Sequence, residues 1–172
     1  MINLTVDHLK KLLHYDPATG IFTRRIQVSS NAKAGDTPRC RSDGYLRIRI
    51  DGKQYKSHRL AWLYMTGAWP KDQVDHINGI RDDNRFGNLR EATHTENCQN
   101  IAVPAHNTSG FIGVHWHRRR QRWVARIYTA RHYKYLGQFI NLEDAHAAYL
   151  AAKAKYHPFQ PTPRDIITLE VV

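Results

Sequence analysis

The chain has 172 residues and a mass of 20.0 kDa, room for one domain or two small ones. It is 41% hydrophobic and 24% charged, which excludes wholesale disorder, and no apolar run approaches the roughly 20 residues that cross a bilayer. Lysine and arginine number 26 against 15 acidic residues, a net charge of +11 that attracts polyanions, nucleic acid first and an anionic membrane surface second.

The membrane reading needs a basic amphipathic helix with large apolar residues, and the sequence has none, so no membrane partner is expected. The N-terminus MINLTVDHLKKLL has no basic start, apolar block and cleavage site, so an intracellular, cytoplasmic and non-secreted chain is expected. Cys40 and Cys98 form no CxxC pair, which excludes a zinc ribbon. They read as two free thiols, partly buried.

In chain order, Leu4, Leu9, Leu12 and Leu13 are spaced for a helix over 4–14 that Thr5 could cap and that Asp16-Pro17 and Gly20 stop. Ile21–Arg24 reads as a short strand and 27–44 as polar loop. Tyr45–Ile50 alternates as a strand, with Leu46, Ile48 and Ile50 on one face. Asp51-Gly52 supplies the positive φ angles of a tight hairpin turn, and Lys53–Ser57 returns. HRLAWLYMT (58–66) is a helix ended by Gly67. Beyond a polar linker at 101–110, three short strands (113–117, 122–128 and 133–139) precede an alanine-rich helix that starts at the N-cap Asn141 and runs to about Tyr156. Ala145, Ala148, Tyr149, Ala152 and Tyr156 make one stripe that lets this helix lie on the sheet. The tail, 158–172, is either a further strand or loose. Residues 1–107 hold 16 basic against 11 acidic residues, and 108–157 hold 9 against 2, so the smaller C-terminal part is the more basic per residue.

The segment VDHINGIRDDNRFGNLREATHTEN (74–97) concentrates the chemistry. Asp75 and His76 follow Val74 on a short strand, and Thr93-His-Thr-Glu96 is a capping box that starts a helix near residue 94, with Asn97 in its first turns. Phosphodiester hydrolysis assisted by a metal needs a hard cation, a water activator and something to orient the activator. Asp75 offers a carboxylate oxygen and Asn97 an amide oxygen, a pair that fits Mg²⁺, or another divalent cation such as Mn²⁺, better than Zn²⁺. His76 suits a general base near neutral pH, and the side-chain oxygen of Asn88 could accept from one ring nitrogen and leave the other to work.

These residues resemble the HNH nuclease motif, the ββα-metal fold of many homing and phage endonucleases, over about residues 45–100, and the preceding HRLAW resembles the lead-in of its phage-type members. The resemblance implies Asp75 as metal ligand, His76 as general base, Asn88 as the middle Asn and Asn97 as the last motif residue, where many relatives carry a second His. Asn there is the pattern of an HNN subgroup. It implies cleavage of double-stranded DNA that leaves 5′-phosphate and 3′-hydroxyl ends.

SGFIGVHWHRRRQRWVARIY…YKYLGQFINLEDAHAAY (109–149) resembles the Apetala/ethylene-response-factor DNA-binding domain, whose three-stranded sheet enters the major groove. The resemblance turns Trp123, Ala125 and Ile127 to the helix and Arg126 and Tyr128 to DNA. It places His115, His117, Tyr133 and Tyr135 at the other DNA-facing strand positions, with Arg118, Arg119, Arg120 and Arg122 in the adjoining turn. The family's arginines on the first strand are histidines here, so its target sequence does not carry over.

The expectation is therefore an α+β chain. Residues 1–100 form an HNH nuclease domain, 101–110 a linker, and 111–157 a small three-stranded antiparallel sheet packed on one helix. The expected function is site-specific endonuclease of the homing or phage type. The competing class is a DNA-binding regulator with a catalytically weak HNH fold, against which the intact Asp75, His76, Asn88 and Asn97 set argues. The sequence leaves the oligomeric state undecided between a monomer, the first expectation, which would nick, and a dimer, which could cut both strands.

Overall fold

The computed structural model describes residues 4–129, 132–160 and 162–163. The chain divides into two compact units, Met1–Thr93 and His94–Val172, each a mixture of helices and small antiparallel sheets.

In the first unit, helix α1 (Val6–Leu12) starts where expected: the Thr5 hydroxyl accepts from His8 N–H at 3.3 Å. It ends two residues early. Leu13–Asp16 is a strand, β1, paired antiparallel with β2 (Ile21–Arg24), because Leu13 and Tyr15 alternate inward instead of continuing the helical stripe. The polar segment 27–44 is also not all loop. Cys40–Ser42 forms β3, an edge strand on β4 (Tyr45–Ile50), which pairs in turn with β5 (Lys53–Lys56). The β4–β5 turn has Asp51 and Gly52 at φ 47° and 78°, the left-handed pair a tight hairpin requires. Helix α2 (Ser57–Thr66) follows at once and closes on Gly67, whose N–H donates to the Leu63 carbonyl. Strands β6 (Gln73–His76) and β7 (Leu89–Ala92) pair antiparallel with Asp75 opposite Arg90, and a 3-10 turn, Phe86–Asn88, precedes β7. One core that includes Leu9, Leu13, Tyr15, Phe22, Ile48, Leu60 and Val74 joins these pieces.

The second unit opens with α3 (His94–Asn97), a single turn. Strands β8 (Val114–His117), β9 (Arg122–Tyr128) and β10 (Tyr133–Phe139) form an antiparallel sheet in the order β10-β9-β8. Helix α4 (Leu142–Tyr156) packs on it through Ala145, Tyr149 and Ala152 against Val114, Ala125 and Ile127. Alanines allow that close approach, and Gly113 is its tightest point: at φ +75°, a Cβ there would meet the Tyr149 ring at 2.4 Å. Asn141 occupies the N-cap position but does not cap; its amide donates to the Asp144 carboxylate at 3.3 Å. Both cysteines are free, and both are exposed, not partly buried. Of the tail, residues 161 and 164–172, which hold its apolar end, lie outside the described residues, and with them the choice between a further strand and a loose end. Among the described residues, no helix is long and apolar enough to cross a membrane.

Candidate nuclease site

Strand β6 delivers Asp75 and His76 into the protein, at 5% and 4% exposure. A buried carboxylate needs a partner. The register supplies it: Arg90, directly across on β7, donates from Nε and Nη2 to one oxygen of Asp75 at 3.0 and 2.9 Å. The fold thus spends the Arg90 guanidinium on Asp75.

The His76 ring is oriented by an amide oxygen, but that oxygen belongs to Asn84, not Asn88. His76 Nε2 and Asn84 Oδ1 lie 3.2 Å apart, and Asn84 Nδ2 donates to the Asp82 carbonyl at 3.2 Å, which fixes the amide with its oxygen toward the ring. The imidazole therefore carries its proton on Nε2, and in the neutral form the lone pair sits on Nδ1. Burial pushes the His76 pKa below the ordinary imidazole value, while the Asn84 bond and then the carboxylates of Asp75, Asp83 and Asp82 pull it back up.

Asn84 is itself 1% exposed and held from a distance. The Tyr15 hydroxyl donates to its carbonyl at 2.7 Å, and Gly20, at φ +73°, lies so close that a Cβ would fall 2.4 Å from the Asn84 carbonyl carbon. The β1–β2 hairpin is thus a buttress for the residue that orients His76.

Asn88 braces the loop between the strands. Its Oδ1 accepts from Asn78 N–H at 3.0 Å, and its Nδ2 donates to Asn78 Oδ1 and to the Asp83 carbonyl, both at 2.9 Å. Asn78 Nδ2 donates to Asp83 at 2.7 Å, and Arg85 donates to both oxygens of that carboxylate, holding its pKa down to about 2.

A second imidazole touches the first. His58, in the first turn of α2, is 4% exposed and sets its ring edge-on to His76, with centroids 4.9 Å apart. The Tyr45 ring lies 5.2 Å from His58 and 6.0 Å from His76. Nδ1 of His58 is buried with no hydrogen-bond partner among the described residues. Burial first, then the charges of His76, Lys56 and Arg59, depress its pKa to about 3, so the ring is neutral. His58 therefore acts as a packing residue, with the His76 ring as its neighbour.

Asn97 is the last residue of α3 and belongs to the second unit, so the four motif residues divide between the units as Asp75, His76 and Asn88 on one side and Asn97 on the other. In the second unit the sheet gathers one group of the expected DNA-facing residues. Tyr133 is paired with Tyr128, Tyr135 with Arg126, and His117 with Arg122. The Tyr128 and Tyr133 rings meet edge-on at 4.9 Å, and the Arg126 guanidinium lies 4.7 Å over Tyr133. Burial, then Arg126 and His117, lower the pKa of His115. Arg118, Arg119 and Arg120 are exposed on the β8–β9 turn, where Arg120 N–H donates to His117 Nδ1 at 3.3 Å. At its Tyr128 end this face is not open: His94, Thr95 and Cys98 close a cavity of about 390 Å³ with Arg126, Tyr128 and Tyr133.

Residues 55–99 match the family model described as HNH endonuclease, and a domain of that family suggests nuclease activity. The chain is also 36% identical over 72 residues to Protein 3.8 of Escherichia phage T7, an alignment that covers 41% of this chain and 60% of that protein. No solved structure matches.

Proposed function

We propose that the protein is a metal-dependent HNH endonuclease that hydrolyses phosphodiester bonds of double-stranded DNA, of the site-specific homing or phage kind. The observation that carries this reading is a buried imidazole, oriented on one nitrogen by Asn84, next in sequence to a buried carboxylate within the HNH-matched segment.

In this reading His76 is the general base: Asn84 holds the proton on Nε2, and Nδ1 takes the proton of the attacking water. Asn84 and Asn88 are positioning residues, one for the ring and one for the loop that carries Asn84. HNH nucleases generally use a divalent metal. The donor types here suit a hard one, since Asp75 and Asn97 offer a carboxylate and an amide oxygen. Mg²⁺, or Mn²⁺ in its place, would supply Lewis-acid charge at the scissile phosphate and the leaving oxygen. Arg90 holds the Asp75 carboxylate in place.

The second unit is the DNA-binding part, similar in sequence to the Apetala/ethylene-response-factor domain. His115, His117, Arg122, Arg126, Tyr128, Tyr133 and Tyr135 would meet base edges and backbone, and Arg118, Arg119 and Arg120 phosphates. The same unit carries Asn97, so DNA recognition and one metal ligand would share one unit of the chain. The test is relaxation or linearisation of supercoiled plasmid with Mg²⁺ or EDTA, by wild type and His76→Ala. Cleavage that needs both Mg²⁺ and His76 is expected; full activity in His76→Ala overturns the base, and undiminished Mg²⁺ binding in an Asp75→Ala, Asn97→Ala double variant overturns the ligands.

A further inference from the structure

Helix α2 begins without an anion. Its N-cap residue is Lys56, no side chain caps it, and its first turn holds no acidic residue. The leading N–H groups of a ten-residue helix and the positive end of its dipole are therefore left without a capping side chain. The first helical residue, Ser57, lines a cavity of about 540 Å³ in the first unit that the proposed chemistry does not use. Ser57 is 3% exposed, and among the described residues its hydroxyl makes no hydrogen bond. A hydroxyl without a partner in a cavity wall is a donor and acceptor in waiting.

The rest of the wall carries two arginines, one carboxylate, Asp82, and an apolar side. Arg39 lines the cavity, is exposed, and makes no ion pair among the described residues. Arg41 also lines it, already held by Asp82 at 2.5 Å. Phe22 and Ile48, 3% and 2% exposed, supply an apolar side.

We propose that this cavity binds a nucleotide phosphate: the Ser57 hydroxyl and the leading N–H groups of α2 donate to its oxygens, Arg39 adds the cation, and the apolar wall takes the attached sugar and base. A phosphate suits diverging donors because its oxygens accept in several directions, and helix N-termini bind such groups readily. The volume exceeds what a bare anion fills and lies in the range of small-ligand sites. The identity of the nucleic acid rests on the nuclease reading; the phosphate binding does not. The phosphate is either an internal phosphodiester of the duplex or the 5′-phosphate of a strand end.

The experiment is an amide-resolved NMR titration of the full chain in EDTA, with 2′-deoxyadenosine 5′-monophosphate, with deoxyadenosine, and with duplex oligonucleotides with and without 5′-phosphates. Saturable shifts at Ser57, His58 and Arg59 are expected with the monophosphate and not with the nucleoside. The same shifts with the unphosphorylated duplex identify an internal phosphodiester, and shifts restricted to the phosphorylated duplex identify a strand end. Arg39→Ala, at an exposed position, should weaken the monophosphate about fivefold, and Ser57→Asp, which puts a carboxylate at the helix N-terminus, should abolish the response. Titrations that never saturate, or variants that titrate like wild type, overturn the site. An inert plasmid assay with an intact titration overturns the nuclease reading alone; an active nuclease with a silent titration overturns this inference alone.

Discussion

The two units treat their candidate functional side chains in opposite ways. In the first, Asp75, His76 and Asn84 are 5%, 4% and 1% exposed, and each is held by a named partner. In the second, Tyr133 and Tyr135 are 62% and 57% exposed on a sheet whose other face is packed under α4. Chemistry on a phosphodiester needs groups fixed before the substrate arrives, whereas reading a duplex needs side chains whose partners are on the DNA. Substitutions of the buried Asp75, His76 and Asn84 should therefore act on rate and stability, and those on the exposed sheet face of the second unit on binding.

The sharpest break of that comparison is His76→Ala. Single-turnover cleavage at saturating DNA should fall by about 10²–10⁴, the usual share of a general base, with DNA affinity in filter binding unchanged. A loss of affinity with the rate intact would move His76 to the binding side. Asn84→Ala should come next. It removes the oxygen that meets Nε2 and leaves a buried donor without its partner, so the rate should fall about 10- to 100-fold and unfolding should cost about 1–3 kcal/mol less. A rate equal to wild type would show that the ring holds its orientation without Asn84.

His58 sharpens the stability half. Its folded pKa, about 3, lies below the ordinary imidazole value of about 6.5. The unfolded chain therefore binds a proton that the folded chain refuses, and stability is full above pH 6.5 and drains as pH falls toward 3. Between pH 7 and pH 5 the expected loss is about 2 kcal/mol, read from urea unfolding at each pH. His58→Phe keeps a ring against His76 and should flatten this dependence; an equally steep profile in the variant would assign it to other groups.

How far the sequence could see follows from where each contact is made. The hairpin at Asp51-Gly52, the α2 stop at Gly67 and the inward stripe of α4 are legible because a left-handed φ or a helical period is a local property. Strand β1 is hidden because Leu9, Leu12 and Leu13 continue a helical spacing, and a four-residue strand is too short for its alternation to compete. Strand β3, Cys40–Ser42, has no pattern of its own and exists by pairing with β4. In the site, Asp75 and His76 stand out by adjacency, but Asp82-Asp83-Asn84-Arg85 offers four polar side chains in a row with nothing local to say which turns inward. Tyr15 and Gly20, far away in sequence, select Asn84. Asn88 was legible as a residue of the motif and misread as a partner, since its amide is spent on Asn78 and Asp83.

The smallest effect tests the second unit. Arg126 is exposed, lies 4.7 Å over the Tyr133 ring and sits opposite Tyr135, so it presents charge on the face proposed for DNA. Arg126→Ala should weaken duplex binding several-fold and reduce the slope of log affinity against log salt by about one, since one phosphate contact releases about one counterion. Arg126→Lys should restore the slope, because a lysine still neutralises a phosphate, but not the whole affinity, because it lacks the planar fork and the stacking of guanidinium on tyrosine. Saturating DNA should return the Arg126→Ala cleavage rate to the wild-type value. A rate that stays low at saturation would mean that the exposed face acts on the chemistry, and the separation of recognition from catalysis would fail at that residue.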